Sequence, residues 1–396
     1  MNKMSNKDVF ILGHSLTKFG EFYDINAGNL AAQALTDAIK NSQLSKDSIQ
    51  SIYFGSMLTN TNGQPSVGHL SMYESNLQLP FTRIEAGTAS GAAAFQQAYL
   101  AIKSGLFECI AVVGVENLSD YVKTGTIERI LGTTIDYSWE FEMGATLSSL
   151  YAIMTKEYME KYNTTLEQLA KVPVKNHKNG THNKYAQFQK EIPLDRFLNA
   201  KRIADPIGKF DPATQCDGSG ALILASSDFV LKNLEERLLP KVIGIGQGSD
   251  YLALHHRESL TTLKATKIAA KEAYDMSGTN SKDINVAEVH DSYPIGEILA
   301  IEDLGFFEQG EGGVATETGQ TEINTKISIN TSGGLKSRGD PFGATGIAQI
   351  IEIIKQLQGK ADKRQVDDVV YGLTQNVSGT GASSYVNIFT QAEVKA

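Results

Sequence analysis

The stretch Ile84–Gly91, IEAGTASG, closes a β-like run and opens a helical one, AAAFQQAYLAIKSG. Small residues at such an elbow let backbone or ligand approach closely, and the first N–H groups of a helix favour an anion. The side chain held there is placed for nucleophilic chemistry, and it is the hydroxyl of Thr88. A thiol with a pKa of about 8.5 becomes a thiolate with modest help, whereas a hydroxyl does not. A helix terminus contributes about 0.3 to 2 kcal/mol, around one pKa unit, so Thr88 needs a dedicated base before it can attack.

Neither cysteine replaces it. Cys109 lies inside FECIAVVGVE, a buried-strand pattern in which a free thiol behaves as a small apolar group, and Cys216 precedes DGSG in a loop and reads as structural. His290 ends the strand-like INVAEVH and is followed by Asp291 and Ser292. His255 and His256 are adjacent, so they point in different directions, and HxxxH spacing is missing; no metal site is expected.

The elements that must hold these groups alternate strand and helix, which favours an α/β layering. VFILG from Val9, SIYFG from Ser51, CIAVVGVE from Cys109 and ALILAS from Ala221 read as buried strands, with AGNLAAQALTDAIKNSQ as a helix between. KVIGIGQ, INVAEVH and DVVYGLTQN continue the pattern in the second half. Residues 120–217, rich in Tyr, Asn, Lys and Gln, read as a long insertion over the core. The expected organisation is residues 1–240 as one half, carrying that insertion, and 241–396 as the other.

The halves repeat in shape. EAGTASGAAAFQQAYLAIKSG followed by CIAVVGV has a counterpart in GDPFGATGIAQIIEIIKQLQG followed by DVVYGL. Each is a small-residue turn, a helix closed by glycine, then a strand. The repeat puts Thr88 and Asp340 at related helix N-termini, facing one cleft if a pseudo-twofold brings them together. A net charge of −9 without a basic cluster argues against a nucleic-acid partner. No apolar run reaches the roughly 18 residues of a membrane span, and MNKMSNKDVF lacks a signal-length apolar core. The expected location is cytoplasmic.

The chain resembles the thiolases, within them the branch of archaeal acetoacetyl-CoA thiolases and sterol-carrier-protein-2 thiolases. The resemblance runs over nearly the whole chain, through LTKFGEF, GATLSSLYAIMTKEYM, KNHKNGTHNKYAQF, CDGSGALILAS, EVHDSYPIGEILAIEDLGF and NTSGGLKSRGDPFGATG. It implies a duplicated αβαβα fold with a loop domain over the cleft. It also implies coenzyme A thioester substrates with no bound cofactor, and a homodimer or tetramer. Relatives of this branch associate with an OB-fold protein carrying a zinc ribbon, which makes that a partner to expect.

The family's CASG stands here as Thr88–Gly91, without the acyl-accepting cysteine, and its GHPxGATG as Gly339–Gly346, with Asp340 in place of the histidine. His290 matches the branch's thioester-oxygen histidine. The family's last catalytic loop resembles Gln375–Gly379, which adds Ser378 and Gly379 to the candidates. These substitutions imply carbon–carbon bond chemistry without a cysteine acyl-enzyme, with Asp340 and His290 as acid/base and oxyanion donor and Thr88 positioning substrate. The alternatives are a non-catalytic subunit that assembles with the OB-fold partner, and an ordinary acetyl-CoA C-acetyltransferase with an altered active site.

Overall fold

The computed structural model describes residues 7–58, 66–119, 126–234 and 237–394. The N-terminal residues 1–6 and residues 120–125, where the insertion was expected to begin, lie outside them. The first half runs β1 (Val9–Leu16), α1 (Ala27–Ser42), β2 (Ser51–Gly55), α2 (Val67–Ser75), β3 (Phe81–Ile84), α3 (Ser90–Lys103) and β4 (Cys109–Glu116). A covering segment follows, with α4 (Thr126–Leu131), α5 (Leu147–Tyr162), α6 (Leu166–Gly180), α7 (Leu194–Leu198), β5 (Arg202–Ala204) and β6 (Ile207–Gly208). Then come β7 (Gly218–Ser226) and α8 (Ser227–Asn233).

The second half runs β8 (Leu238–Ser249), α9 (Lys264–Ser277), β9 (Val286–Glu288), α10 (Pro294–Asp303), α11 (Gly312–Glu317) and β10 (Ser328–Ile329). It closes with α12 (Gly334–Arg338), α13 (Thr345–Leu357), β11 (Gly372–Ser378) and β12 (Ser383–Glu393).

The topology repeats. In the first half the strand order is β3-β2-β4-β7-β1, and in the second β10-β9-β11-β12-β8. In both, the first three strands are parallel and the last two join antiparallel. The halves meet through β1 and β8, paired only at Val9↔Val242 and Phe10↔Lys241.

Hydrophobic patterning layers the halves. Along β4, Cys109, Ala111, Val113 and Val115 face a core shared with α1, while Ile110 and Val112 face one shared with α3 and α13. This period of two buries both faces, so the strand reads as a continuous apolar run. A third core packs α9 and α10 on the outer face of the second half. Helices α3 and α13 therefore lie in the middle of an αβαβα stack. They cross closely because Gly91 lacks a side chain: a Cβ there would stand 2.2 Å from the Gly343 carbonyl oxygen. This crossing brings the start of α3 and the turn before α13 together, and with them Thr88 and Asp340.

Two sequence expectations shift in detail. DVVYGLTQN becomes a strand only from Gly372, because the Val370 and Tyr371 amides donate to the Asn285 side chain instead of a ladder. The elbow also has fewer free N–H groups than expected, since the Ala89 and Ser90 amides donate to Ala86 and Gly87 within the turn.

Candidate active site

A narrow cavity of about 20 Å³ is lined by Thr88, His290, Asp340 and Gly379. Ser292 and Tyr293 complete its polar side, and Leu131, Leu147, Pro212 and Ala213 of the covering segment form its apolar wall. Four of the five sequence candidates thus converge. Ser378 does not line the cavity; its hydroxyl packs against Gly87.

Thr88 is buried, and its Oγ1 donates to the Val377 carbonyl oxygen at 2.9 Å. Its hydrogen bond therefore ends on a neutral amide oxygen and not on a base. Asp340 is held by the strand-like bridge to Gln215, with its amide donating to the Thr214 carbonyl at 3.0 Å. Its Oδ1 accepts from the Thr345 hydroxyl at 2.7 Å. Burial pushes the Asp340 carboxyl up to about 6, against the opposing pull of Thr345, the Arg338 charge and the Phe342 amide. At neutral pH it is mostly ionised yet far easier to protonate than an ordinary aspartate, which suits a proton carrier.

His290 follows β9, and Gln375 on the neighbouring strand β11 accepts its amide proton at 2.9 Å. Burial, with the nearby Arg338 charge adding to it, pulls the imidazole down to about 3, so the ring is neutral in the physiological range. Nδ1 lies 3.0 Å from the side-chain nitrogen of Asn376. Gly379 has φ +56°, where side chains strain, and a Cβ there would meet the Thr134 carbonyl oxygen at 2.2 Å. Its own carbonyl is anchored by the Tyr151 hydroxyl at 3.0 Å, and Tyr151 stacks on Tyr293 with ring centroids 4.2 Å apart.

Around this centre sit buried groups that sequence reasoning passed over. Glu116 at the end of β4 accepts from the Ser56 hydroxyl and the Met57, Leu58 and Gly343 amides at 2.9–3.0 Å, clamping the turn below Asp340 to the first half. Burial raises its carboxyl to about 7. Arg338, 1% exposed, pairs with Glu288 at 3.1 Å. Cys216, which reads as structural in the sequence, abuts Asp340. Burial first, then the Asp340 and Asp217 charges, hold its thiol well above the usual range. The Cys109 thiol is likewise raised, to about 12, by burial within β4. Neither thiol is prepared for nucleophilic attack. Among the described residues no group of three or more His, Cys, Asp or Glu is placed to hold a metal ion. No helix among them is long and apolar enough to cross a membrane.

The N-terminal thiolase domain model matches residues 9–227, and the thiolase C-terminal domain-like model matches residues 246–391. This chain belongs to the thiolase family. An acetyl-CoA acetyltransferase of Methanothermobacter thermautotrophicus is 38% identical, covering 97% of this chain and 100% of the relative. Bovine sterol carrier protein 2 is 31% identical over 96% of this chain and 72% of its own. Among solved structures, human mitochondrial 3-ketoacyl-CoA thiolase superposes with a TM-score of 0.73 at 15% identity, over 98% and 99% of the two chains. The chain described as an Ltp2-ChsH2(DUF35) aldolase superposes with a TM-score of 0.84 at 23% identity, over 97% and 98%. The fold is thus the thiolase fold, an α/β architecture around a large central sheet.

Proposed function

We propose that this thiolase-family protein binds an acyl-CoA thioester and makes or breaks a carbon–carbon bond beside its carbonyl without an acyl-enzyme. The observation that carries this reading is the Thr88 hydroxyl, which donates its hydrogen bond to the Val377 carbonyl and not to a base. An unactivated hydroxyl is a poor nucleophile, and Asp340 is engaged with Thr345. What the cavity does offer is a neutral imidazole and a carboxyl titrating at about 6.

In the cleavage direction, with a β-hydroxyacyl-CoA, the Asp340 carboxylate takes the hydroxyl proton. The Cα–Cβ pair moves onto the thioester as an enolate while Cβ becomes a carbonyl. His290 donates a hydrogen bond to the enolate oxygen, and the proton returns to Cα to give the shortened acyl-CoA. Thr88 and Gly379 shape the floor, and Ser378 supports the turn behind Gly87.

The chemistry is read as cytoplasmic, in a homodimer or tetramer. One structural neighbour is described as an Ltp2-ChsH2(DUF35) aldolase, which supports aldol-type chemistry and a second protein as partner here, for which we propose the OB-fold/zinc-ribbon kind. The archaeal relative's name supports acyl transfer between CoA thioesters as the competing reaction.

Incubation with β-hydroxyacyl-CoA should release an aldehyde or ketone and a shorter acyl-CoA. Acetoacetyl-CoA plus CoA should give no acetyl-CoA above background. Mass spectrometry showing an acyl group on Thr88 would overturn the reading in favour of an acetyltransferase with an activated hydroxyl.

A further inference from the structure

His290 has two ring nitrogens, and only a ring that carries its proton on Nε2 can donate from that edge. The surrounding amides decide which nitrogen that is. Gln349 of α13 places its side-chain nitrogen 3.1 Å from the Gln375 carbonyl oxygen, an acceptor with no proton of its own. The Gln349 amide is thereby oriented, and its Oε1 faces Asn376. Asn376 must answer with its NH2, and the Nδ2···Oε1 distance is 2.9 Å. That same nitrogen lies 3.0 Å from His290 Nδ1. Turning the Asn376 amide over would set two carbonyl oxygens against each other. The observed orientation leaves Asn376 Oδ1 without a hydrogen-bond partner among the described residues, a cost accepted to keep two bonds from Nδ2.

We infer that Gln349 and Asn376 are positioning residues that lock His290 as the Nε2–H tautomer, with Nδ1 accepting from Asn376 and the proton kept at the edge that serves substrate. The relay starts at a backbone carbonyl of β11, crosses to α13, and returns to β11 before reaching the ring. Successive β11 side chains do separate jobs, as strand alternation requires: Gln375 holds the His290 backbone and Asn376 its ring. The Gln375 side chain is itself fixed by donation to the Thr266 hydroxyl at 3.0 Å. Burial of all three amide side chains shields the relay from water, which would otherwise offer either ring nitrogen a partner.

This inference rests on the proposed role of His290, yet its test does not require turnover. Protein labelled with 15N-histidine is examined by long-range nitrogen–proton correlation at about pH 7, with the His290 signals assigned by their loss in His290→Gln. In the unmodified protein Nδ1 should resonate as an unprotonated nitrogen and Nε2 as a protonated one. Asn376→Asp replaces the donor with an acceptor of the same shape and should move the proton to Nδ1. Gln349→Met frees the Asn376 amide and should move the Nδ1 signal part of the way.

A protonated Nδ1 in the unmodified protein overturns the inference whatever the variants do. So does an unchanged Nδ1 signal in either variant that retains a native-like spectrum. Where cleavage is measurable, Asn376→Asp should lower kcat on the order of 100-fold with KM little changed. Correct tautomers in a protein that cleaves no β-hydroxyacyl-CoA would sink the proposed reaction and leave the relay standing.

Discussion

The two halves share a topology and differ in what they bring to the cleft. Between β4 and β7 the first half places residues 126–217, from which Leu131, Leu147, Pro212 and Ala213 cover the cavity; between β11 and β12 the second half turns within residues 379–382. At matching helix starts the first half presents a hydroxyl and the second a carboxyl. The hydroxyl donates its hydrogen bond to a neutral carbonyl, whereas burial raises the carboxyl to about 6. Duplicated scaffolds thus need not divide the chemistry evenly. In the proposed reaction the proton carrier Asp340 and the hydrogen-bond donor His290 both come from the second half, while the first half lines the cavity with Thr88 and the apolar Leu131, Leu147, Pro212 and Ala213.

The strongest way to break this asymmetry is to rebuild both elbows at once. Thr88→Cys alone lacks a base to generate and reprotonate the thiolate, and Asp340→His alone lacks a nucleophile. Together they should raise CoA-dependent thiolysis of acetoacetyl-CoA by on the order of 100-fold beyond the product of the single effects, because residues acting as a unit are non-additive. Additive singles would mean the two elbows do not face each other functionally.

Next in size is the clamp between the halves. Glu116→Ala strands the Met57, Leu58 and Gly343 amides and the Ser56 hydroxyl, so denaturant unfolding should show a loss of about 3 kcal/mol or more. A loss below about 1 kcal/mol would show that water replaces the carboxylate cheaply.

A smaller effect tests the carboxyl itself. Its folded-state value of about 6 lies above the ordinary 3.8, so the native protein binds that proton more tightly than the unfolded chain does. The resulting destabilisation is absent below the unfolded value and complete above the folded one. Asp340→Asn should therefore be more stable than the unmodified protein by about 3 kcal/mol at about pH 8, the gap closing as pH falls through about 6 toward 4. A gap independent of pH would place the strain elsewhere.

The smallest change sharpens the comparison most. Thr88→Val removes one hydrogen bond to the Val377 carbonyl, about 1 kcal/mol, and should cost carbon–carbon cleavage no more than about tenfold. Complete loss of turnover would make the hydroxyl a participant.

Much of the scaffold was legible because both faces of the central strands are buried: runs such as CIAVVGVE leave little alternative to a covered parallel sheet. The strand Ser383–Glu393 was not read, since buried polar residues such as Ser384 and Asn387 interrupt its apolar pattern. Thr88 was found through its strand-to-helix elbow, Asp340 through the repeat, and His290 through family likeness. Asn376 lay inside the Gln375–Gly379 loop without being singled out, and Gln349 carried no signal, because an amide in a strand and another in a helix gain meaning only once packing sets them against one ring. The same holds for Cys216, whose nearness to Asp340 comes from the bridge at Gln215, not from any local motif.

The Glu116 clamp also bears on how the molecule breathes. One carboxylate oxygen, Oε2, accepts from both Met57 in the first half and Gly343 in the second, and Oε1 accepts from Leu58. An amide trades its hydrogen with solvent only when its acceptor lets go. Two rims separated by most of the chain, joined in the sheet by only two residue pairs, therefore fluctuate open as a single unit, and their deuterium uptake should share one rate and one response to denaturant.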